Sequence, residues 1–143
     1  NHESPRRGYN FVSRKITQAV ANIKLGRQET LFLGNLDAHR DWGYAKEYVE
    51  WIWRIMQHPE PDDFVIATGE NHTIEEFVAE TFAYLDLAWK QYVEVDKGFM
   101  RPAEVDELIG DYSKSKRILG FEPKVKFKDL IKIMVDAELD LYQ

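Results

Sequence analysis

Apolar side chains recur along this chain at two spacings, and the spacing separates the helices from the strands. Intervals of three and four residues are typical of a helix with one buried face. Thr73 and Glu76 form a capping-box pair at the start of one such segment. Gly26 and Gly120 follow two others, where glycine commonly ends a helix. The pattern predicts five helices: from Phe11 to Gly26, from Tyr44 to His58, from Thr73 to Leu85, from Ser113 to Gly120, and over 127–142.

Three shorter apolar runs predict strands. TLFL (30–33) is a short strand, DFVIATGE (63–70) has the pattern of a buried strand, and QYVEVD (91–96) alternates like an exposed or edge strand. LDAHRDWG (36–43) is predicted to be a polar loop. Helices outnumber strands, so the class is α/β or α+β: a small mixed domain of about five helices and a few short strands. We expect residues 1–143 to form this single domain.

Length and composition exclude several classes of protein. A chain of 143 residues can bury a core as one domain. The net charge of −6 argues against nucleic acid as a partner, because such proteins usually carry a basic excess. The absence of cysteine excludes disulfides and thiolate ligands. No apolar run reaches the roughly 18 residues that span a membrane, and no signal peptide is visible, so we expect a cytoplasmic protein without membrane contact.

Catalytic and cofactor motifs are missing from these residues. There is no G-x-G-x-x-G or P-loop, and the four histidines lack metal-ligand spacing, so no metal site is expected. Tyr112 and Lys116 match the Tyr-x-x-x-Lys spacing of short-chain dehydrogenases. That pair works from within one helix, whereas Ser113 is the expected helix start. We therefore interpret this match as coincidental.

Three loops combine arginine with asparagine or acidic residues, namely 1–7, 37–42 and 101–104. Arginine presents a planar fork that binds phosphate oxygens in pairs. Each loop alone could be a solvated charge cluster. Together they favour one site for a phosphorylated ligand.

Five segments also carry a family resemblance: NHESPRRG (1–8), FVSRKIT (11–17), LGNLDAHRDWGYAKEYV (33–49), DFVIATGE (63–70) and RPAEVD (101–106). In this order they resemble the C-terminal part of the GDP-mannose 4,6-dehydratases, within the extended short-chain dehydrogenase/reductase superfamily. The resemblance implies a C-terminal GDP-sugar-binding domain. It also implies that residues 1–8 are the crossover loop from an N-terminal, NADP-binding Rossmann domain that these residues do not include.

The resemblance further implies an activity. The family converts GDP-mannose to GDP-4-keto-6-deoxymannose with NADP as cofactor. The glycine fingerprint and catalytic Tyr-x-x-x-Lys pair of the family are not in this chain. We therefore assign no catalytic residue and expect no catalysis by the chain alone. Two alternatives stay open: part of a related GDP-sugar reductase or epimerase, and a non-catalytic module for nucleotide-sugar binding or assembly.

Site residues follow from the resemblance, position by position. Those implied to contact NADP are His2 and Arg7. Those implied to contact the GDP-sugar are Asn1 and Arg40 at the diphosphate; Lys15, which reaches the substrate; Phe11 and Val12, near the base; Gly34 and Asn35, leading into the arginine loop; and Arg101 and Glu104, at phosphate and ribose.

A domain that normally packs on another should expose an apolar face when it stands alone. Trp51, Trp53 and the aromatic residues of the third helix are the expected members of that face. We therefore predict self-association, and a homo-oligomer.

Overall fold

The fold, in a computed structural model that describes residues 1–99, 105 and 107–142, is a mixture of helices and very short strands. The helices of this part are α1 (Val12–Lys24), α2 (Ala45–Met56), α3 (Ile74–Tyr84), α4 (Ser113–Leu119) and α5 (Phe127–Asp140). Its strands are β1 (His2–Glu3), β2 (Leu31–Leu33), β3 (His39–Arg40), β4 (Gly43–Tyr44), β5 (His72–Thr73) and β6 (Val93–Val95). The predicted class, with five helices and a few short strands, is confirmed. Arg101 and Glu104 lie outside the described residues.

The strands pair two by two. β1 runs parallel to β4, and β2 runs parallel to β6 with Leu31 opposite Val93. β3 and β5 are antiparallel. β6 lies within the alternating segment 91–96 and is mostly exposed, which confirms the expected edge strand. The segment 36–43, predicted to be a polar loop, contains β3, and β4 begins at its last residue. Trp42 of the same segment is buried in the core.

The core lies between α1, α3 and α5, which pack on one another. Phe77, Phe82, Ile16 and Met134 are completely buried there. A local signal explains where α3 begins. The Thr73 side chain accepts a hydrogen bond from the Glu76 amide and the Glu76 carboxylate accepts one from the Thr73 amide, so the predicted capping box is present. Because α1 is packed into this core, the core sets the position of its N-terminal end, where the site described below begins.

The predicted strand at 63–70 is wrong. The amides of Thr68 and Gly69 donate to the carboxylate of Asp41 instead of to a neighbouring strand. The carbonyl of Val65 accepts a hydrogen bond from the Ser115 hydroxyl. The apolar pattern was real, but a strand needs a backbone partner, and side chains satisfy these groups instead.

The exposed apolar face differs in part from the prediction. Of the third-helix aromatics, Phe77 and Phe82 are buried, so the prediction is wrong for them, whereas Tyr84 is exposed as predicted. Trp53 is 62% exposed, whereas Trp51 is half-buried and meets the ring of Phe121 edge-on at 5.2 Å. Other exposed apolar residues of α2 are Val49, Ile52 and Met56. Self-association of the chain stays a prediction. Among the described helices, none is long and apolar enough to cross a membrane.

Candidate functional site

A cleft of about 480 Å³ opens where the start of α1, the carboxyl end of β2 and the connection from β3 to β4 come together. These elements are far apart in sequence, and the core packing brings them together. Eight of the eleven predicted site residues line the cleft: Asn1, Arg7, Phe11, Val12, Lys15, Gly34, Asn35 and Arg40. His2 does not: it is exposed on β1, with its ring centroid 6.3 Å from that of Tyr48. Arg101 and Glu104 are outside the described residues.

Two cationic side chains are held on aromatic rings at the wall of the cleft. The Arg7 guanidinium carbon lies 3.6 Å from the centre of the Phe11 ring. The Lys15 ammonium lies 4.0 Å from the centre of the Phe99 ring and donates to the Phe32 carbonyl at 2.6 Å. Burial lowers the pKa of Lys15, against the opposing effect of Asp96. Both cations are therefore placed before any ligand arrives.

Arg40, on β3, supplies a third cation to the cleft. Its guanidinium donates to the carbonyls of His39 and Val105, both at 2.7 Å. The second contact links the β3 segment to residue 105, which directly follows the RPAE stretch in sequence. With Arg7 and Lys15, this gives the cleft three basic side chains, which suits an anionic ligand with more than one phosphate.

Glu3 also lines the cleft, beside Arg7, and was not predicted. It is only 2% exposed, accepts a hydrogen bond from the Ser13 hydroxyl and lies 3.3 Å from the Arg7 Nε. Burial raises the pKa of Glu3 above its ordinary 4.5, although Ser13 and Arg7 pull in the opposite direction. In sequence, a glutamate in a polar loop gives no sign that it will be buried.

The Glu3 pKa shift predicts a pH-dependent stability difference. Because folding raises this pKa, the protonated carboxyl contributes stability below about pH 4.5 that is lost as pH rises through the folded value. Glu3→Gln, which cannot ionise, should therefore gain stability relative to the unmodified chain on going from about pH 4 to pH 7. Denaturant unfolding at both pH values measures this. Glu29→Gln, at an exposed position, is the matched control. An equal difference at the two pH values for Glu3→Gln would contradict the shift.

Asp41 organises the other side of the cleft, and the sequence analysis also missed it. Its buried carboxylate accepts hydrogen bonds from the amides of Thr68, Gly69 and Gly110 at 2.9–3.1 Å, and from the Thr68 hydroxyl. One carboxylate thus joins three chain segments beside Arg40. The feature of the sequence that could have indicated a buried Asp41 is its position between Arg40 and Trp42, a tryptophan that lies in the core.

Tyr112 and Lys116 do not form a catalytic pair in this structure. Tyr112 precedes α4, and its ring meets that of Phe121 edge-on at 5.4 Å. Lys116 is bound to the Glu122 carboxylate at 3.0 Å. Neither residue lines the cleft. Among the described residues, no group of histidines and carboxylates is arranged to hold a metal ion.

The sequence of this cleft-bearing chain matches a known family. The model of that family, described as GDP-mannose 4,6 dehydratase, matches residues 1–134. The chain belongs to the GDP-mannose 4,6-dehydratase family. The family's GDP-mannose 4,6 dehydratase 2 of Arabidopsis thaliana is 59% identical over 141 residues, which is 99% of this chain and 38% of the relative. The human GDP-mannose 4,6 dehydratase is 48% identical over 158 residues, with 99% of this chain and 42% of the relative covered. The chain thus spans less than half the length of these relatives.

Solved structures show the same fold. The structure of RMD from Pseudomonas aeruginosa, complexed with NADPH, has a TM-score of 0.88 at 20% identity and covers 99% of this chain and 46% of its own. The dTDP-glucose 4,6-dehydratase of Bacillus anthracis, in complex with NAD, has a TM-score of 0.80 at 19% identity and covers 96% and 42%. At these identities the similarity shows the fold alone.

Proposed function

We propose that this chain is the GDP-sugar-binding part of a GDP-mannose 4,6-dehydratase, which converts GDP-mannose to GDP-4-keto-6-deoxymannose. The observation that carries the proposal is the cleft that brings Arg40 of β3 together with Arg7 and Lys15, from the loop before α1 and from α1 itself. Membership of the family supports the substrate, and the clustered cations support the diphosphate of that substrate.

The diphosphate is bound by Arg40, Lys15 and Asn1 in this proposal. Arg40 presents a planar fork to phosphate oxygens, while Lys15 acts as a point charge. Asn1 adds an uncharged donor at the cleft wall. Because both cations are already held in place by backbone carbonyls, little side-chain ordering is needed on binding.

The remaining proposed contacts of the GDP-sugar are to its base, its ribose and a phosphate. Phe11 and Val12, at the start of α1, supply an apolar surface for the base. Gly34 and Asn35, just after β2, form the floor that leads toward the arginine loop. Arg101 and Glu104, which are outside the described residues, are proposed for phosphate and ribose.

The cofactor proposed for the complete enzyme is NADP. Arg7 fits a phosphate of this cofactor, since it is a cation at the cleft wall whose position is set by Glu3 and Phe11. His2, which lies outside the cleft, is the second residue proposed to contact NADP. When bound, NADP would accept a hydride from the sugar and return it. The residues of this chain bind and orient the two nucleotides, and we propose that the chain alone does not catalyse the reaction.

Calorimetric titration of the chain with GDP-mannose tests this function. We expect measurable binding, and a loss of about tenfold in affinity for Lys15→Met, the effect of removing one charge-assisted contact. Lys132→Met, at an exposed position of α5, is the matched control and should leave the affinity unchanged. No heat with GDP-mannose or GDP would refute binding by this chain. Product analysis of an enzyme completed with a family cofactor domain would then separate a dehydratase from a reductase or epimerase.

A further inference from the structure

Two charged side chains are buried together behind the cleft, and the proposed function does not use them. Arg14 in α1 is 6% exposed and Glu138 in α5 is 1% exposed, and the two form an ion pair. Charges are seldom buried without a role, because removing them from water is costly unless each finds several partners. The partners of this pair therefore indicate what it does.

Arg14 directs its guanidinium to the loop that precedes α1. One Nη donates to the carbonyls of Pro5 and Arg7, the latter at 3.1 Å. The other donates to the Tyr9 hydroxyl at 3.2 Å, and the guanidinium lies 4.4 Å from the centre of the Tyr9 ring. Arginine is suited to this task, since its fixed fork can satisfy several acceptors at once.

The loop held in this way carries Arg7 into the wall of the cleft, whereas Arg14 itself does not line the cleft. Glu138 takes the Nε side of the guanidinium and belongs to a helix that packs directly on α1. The chain of contacts thus runs from α5 through Glu138 and Arg14 to the backbone of residues 5–9, and from there to Arg7.

We propose that Arg14, braced by Glu138, is a positioning residue that holds the 5–9 loop so that Arg7 stays at the cleft wall. It acts through Arg7 and touches no ligand. The effect of Arg14 on ligand binding rests on the proposed function, in which Arg7 contacts NADP. The holding of the loop itself is independent of that assignment.

Arg14→Lys separates the two roles of this side chain, which are the ion pair with Glu138 and the hydrogen bonds to the loop. Lysine keeps the charge opposite Glu138 but cannot serve Pro5, Arg7 and Tyr9 together. Tyr9→Phe removes only one acceptor and serves as a second, milder variant. Arg54→Lys, in an exposed pair with Glu50, is the matched control. The readout is amide hydrogen exchange of Arg7 and Phe11, whose amides donate within the loop to the carbonyls of Ser4 and Gly8.

We expect exchange of these two amides to speed up about tenfold in Arg14→Lys, the factor for losing one hydrogen bond to a charged group, while amides of α3 and α5 stay protected. Tyr9→Phe should show a smaller increase at the same amides, and Arg54→Lys none. Unchanged loop exchange, or equal acceleration in the loop, α3 and α5, would overturn the proposal, because a purely structural pair loosens the helices as well.

Titration with NADP⁺ completes the test. The affinity should fall in Arg14→Lys together with loop protection, and a loosened loop with unchanged affinity would overturn the positioning role. If the unmodified chain binds no NADP⁺, the assignment of Arg7 to this cofactor fails in this chain. Hydrogen exchange then decides alone whether Arg14 holds the loop.

Discussion

Asp41→Ala should destabilise the chain by about 2–4 kcal/mol, because it leaves the buried amide of Thr68 and the partly buried amides of Gly69 and Gly110 without their acceptor. The affected groups belong to Thr68, Gly69 and Gly110, on two segments that this carboxylate joins to the loop of Arg40. The loss is expected both in the free energy of unfolding, from denaturant titration, and in nucleotide binding.

Asp37→Ala is the matched control for this prediction. Asp37 lies in the same loop but is exposed, so its removal should change the free energy of unfolding by less than about 0.5 kcal/mol. Asp41→Asn keeps the shape and one acceptor oxygen, and an intermediate loss is expected. If Asp41→Ala unfolds at the same denaturant concentration as the unmodified chain, Asp41 does not organise the cleft.

Arg40→Met should weaken GDP-mannose binding by about a hundredfold, a change of roughly 2.7 kcal/mol in binding free energy. Under the proposed function, Arg40 is the arginine of the cleft that meets the diphosphate of the sugar nucleotide. Methionine keeps much of the length of the side chain but supplies neither charge nor donors. Calorimetric titration with GDP-mannose measures the loss.

Three comparisons separate binding from folding in this variant. Arg40 also donates to the Val105 carbonyl, so a thermal melt must show that the chain stays folded. Arg40→Lys restores the charge without the fork and should recover part of the affinity. Arg54→Met, on an exposed face of α2, should leave the affinity unchanged. A loss of less than threefold in Arg40→Met would contradict a diphosphate contact.

The helices could be predicted from sequence because their signals are local. Periodic apolar positions, the capping box at Thr73 and the glycine after α4 are each recognised within a few residues. The structure has a helix at each predicted place and both capping features, although several apolar residues of α2 are exposed. The strand predicted at 63–70 failed for the opposite reason. Whether Thr68 donates to a strand or to Asp41 depends on a residue 27 positions away.

Eight of the residues that line the cleft were named through a family resemblance, whereas the buried charged residues that hold the cleft in place were not. Glu3, Arg14 and Asp41 are charged residues in or beside polar loops, and such residues are usually solvated. Their burial depends on how α1, α5 and the β3–β4 connection pack, which no local pattern records. The supporting residues of a site are therefore harder to predict than those that meet the ligand.

The parallel strand pairs also bear on the order in which the molecule folds. Leu31 pairs with Val93 and His2 with Gly43, so the strands around the cleft join positions 62 and 41 residues apart. Contacts between such distant positions require long stretches of chain to be ordered first, whereas a helix forms from neighbours. We therefore expect the walls of the cleft to be completed after the helices. Under the proposed function, nucleotide binding would then report molecules that have finished folding.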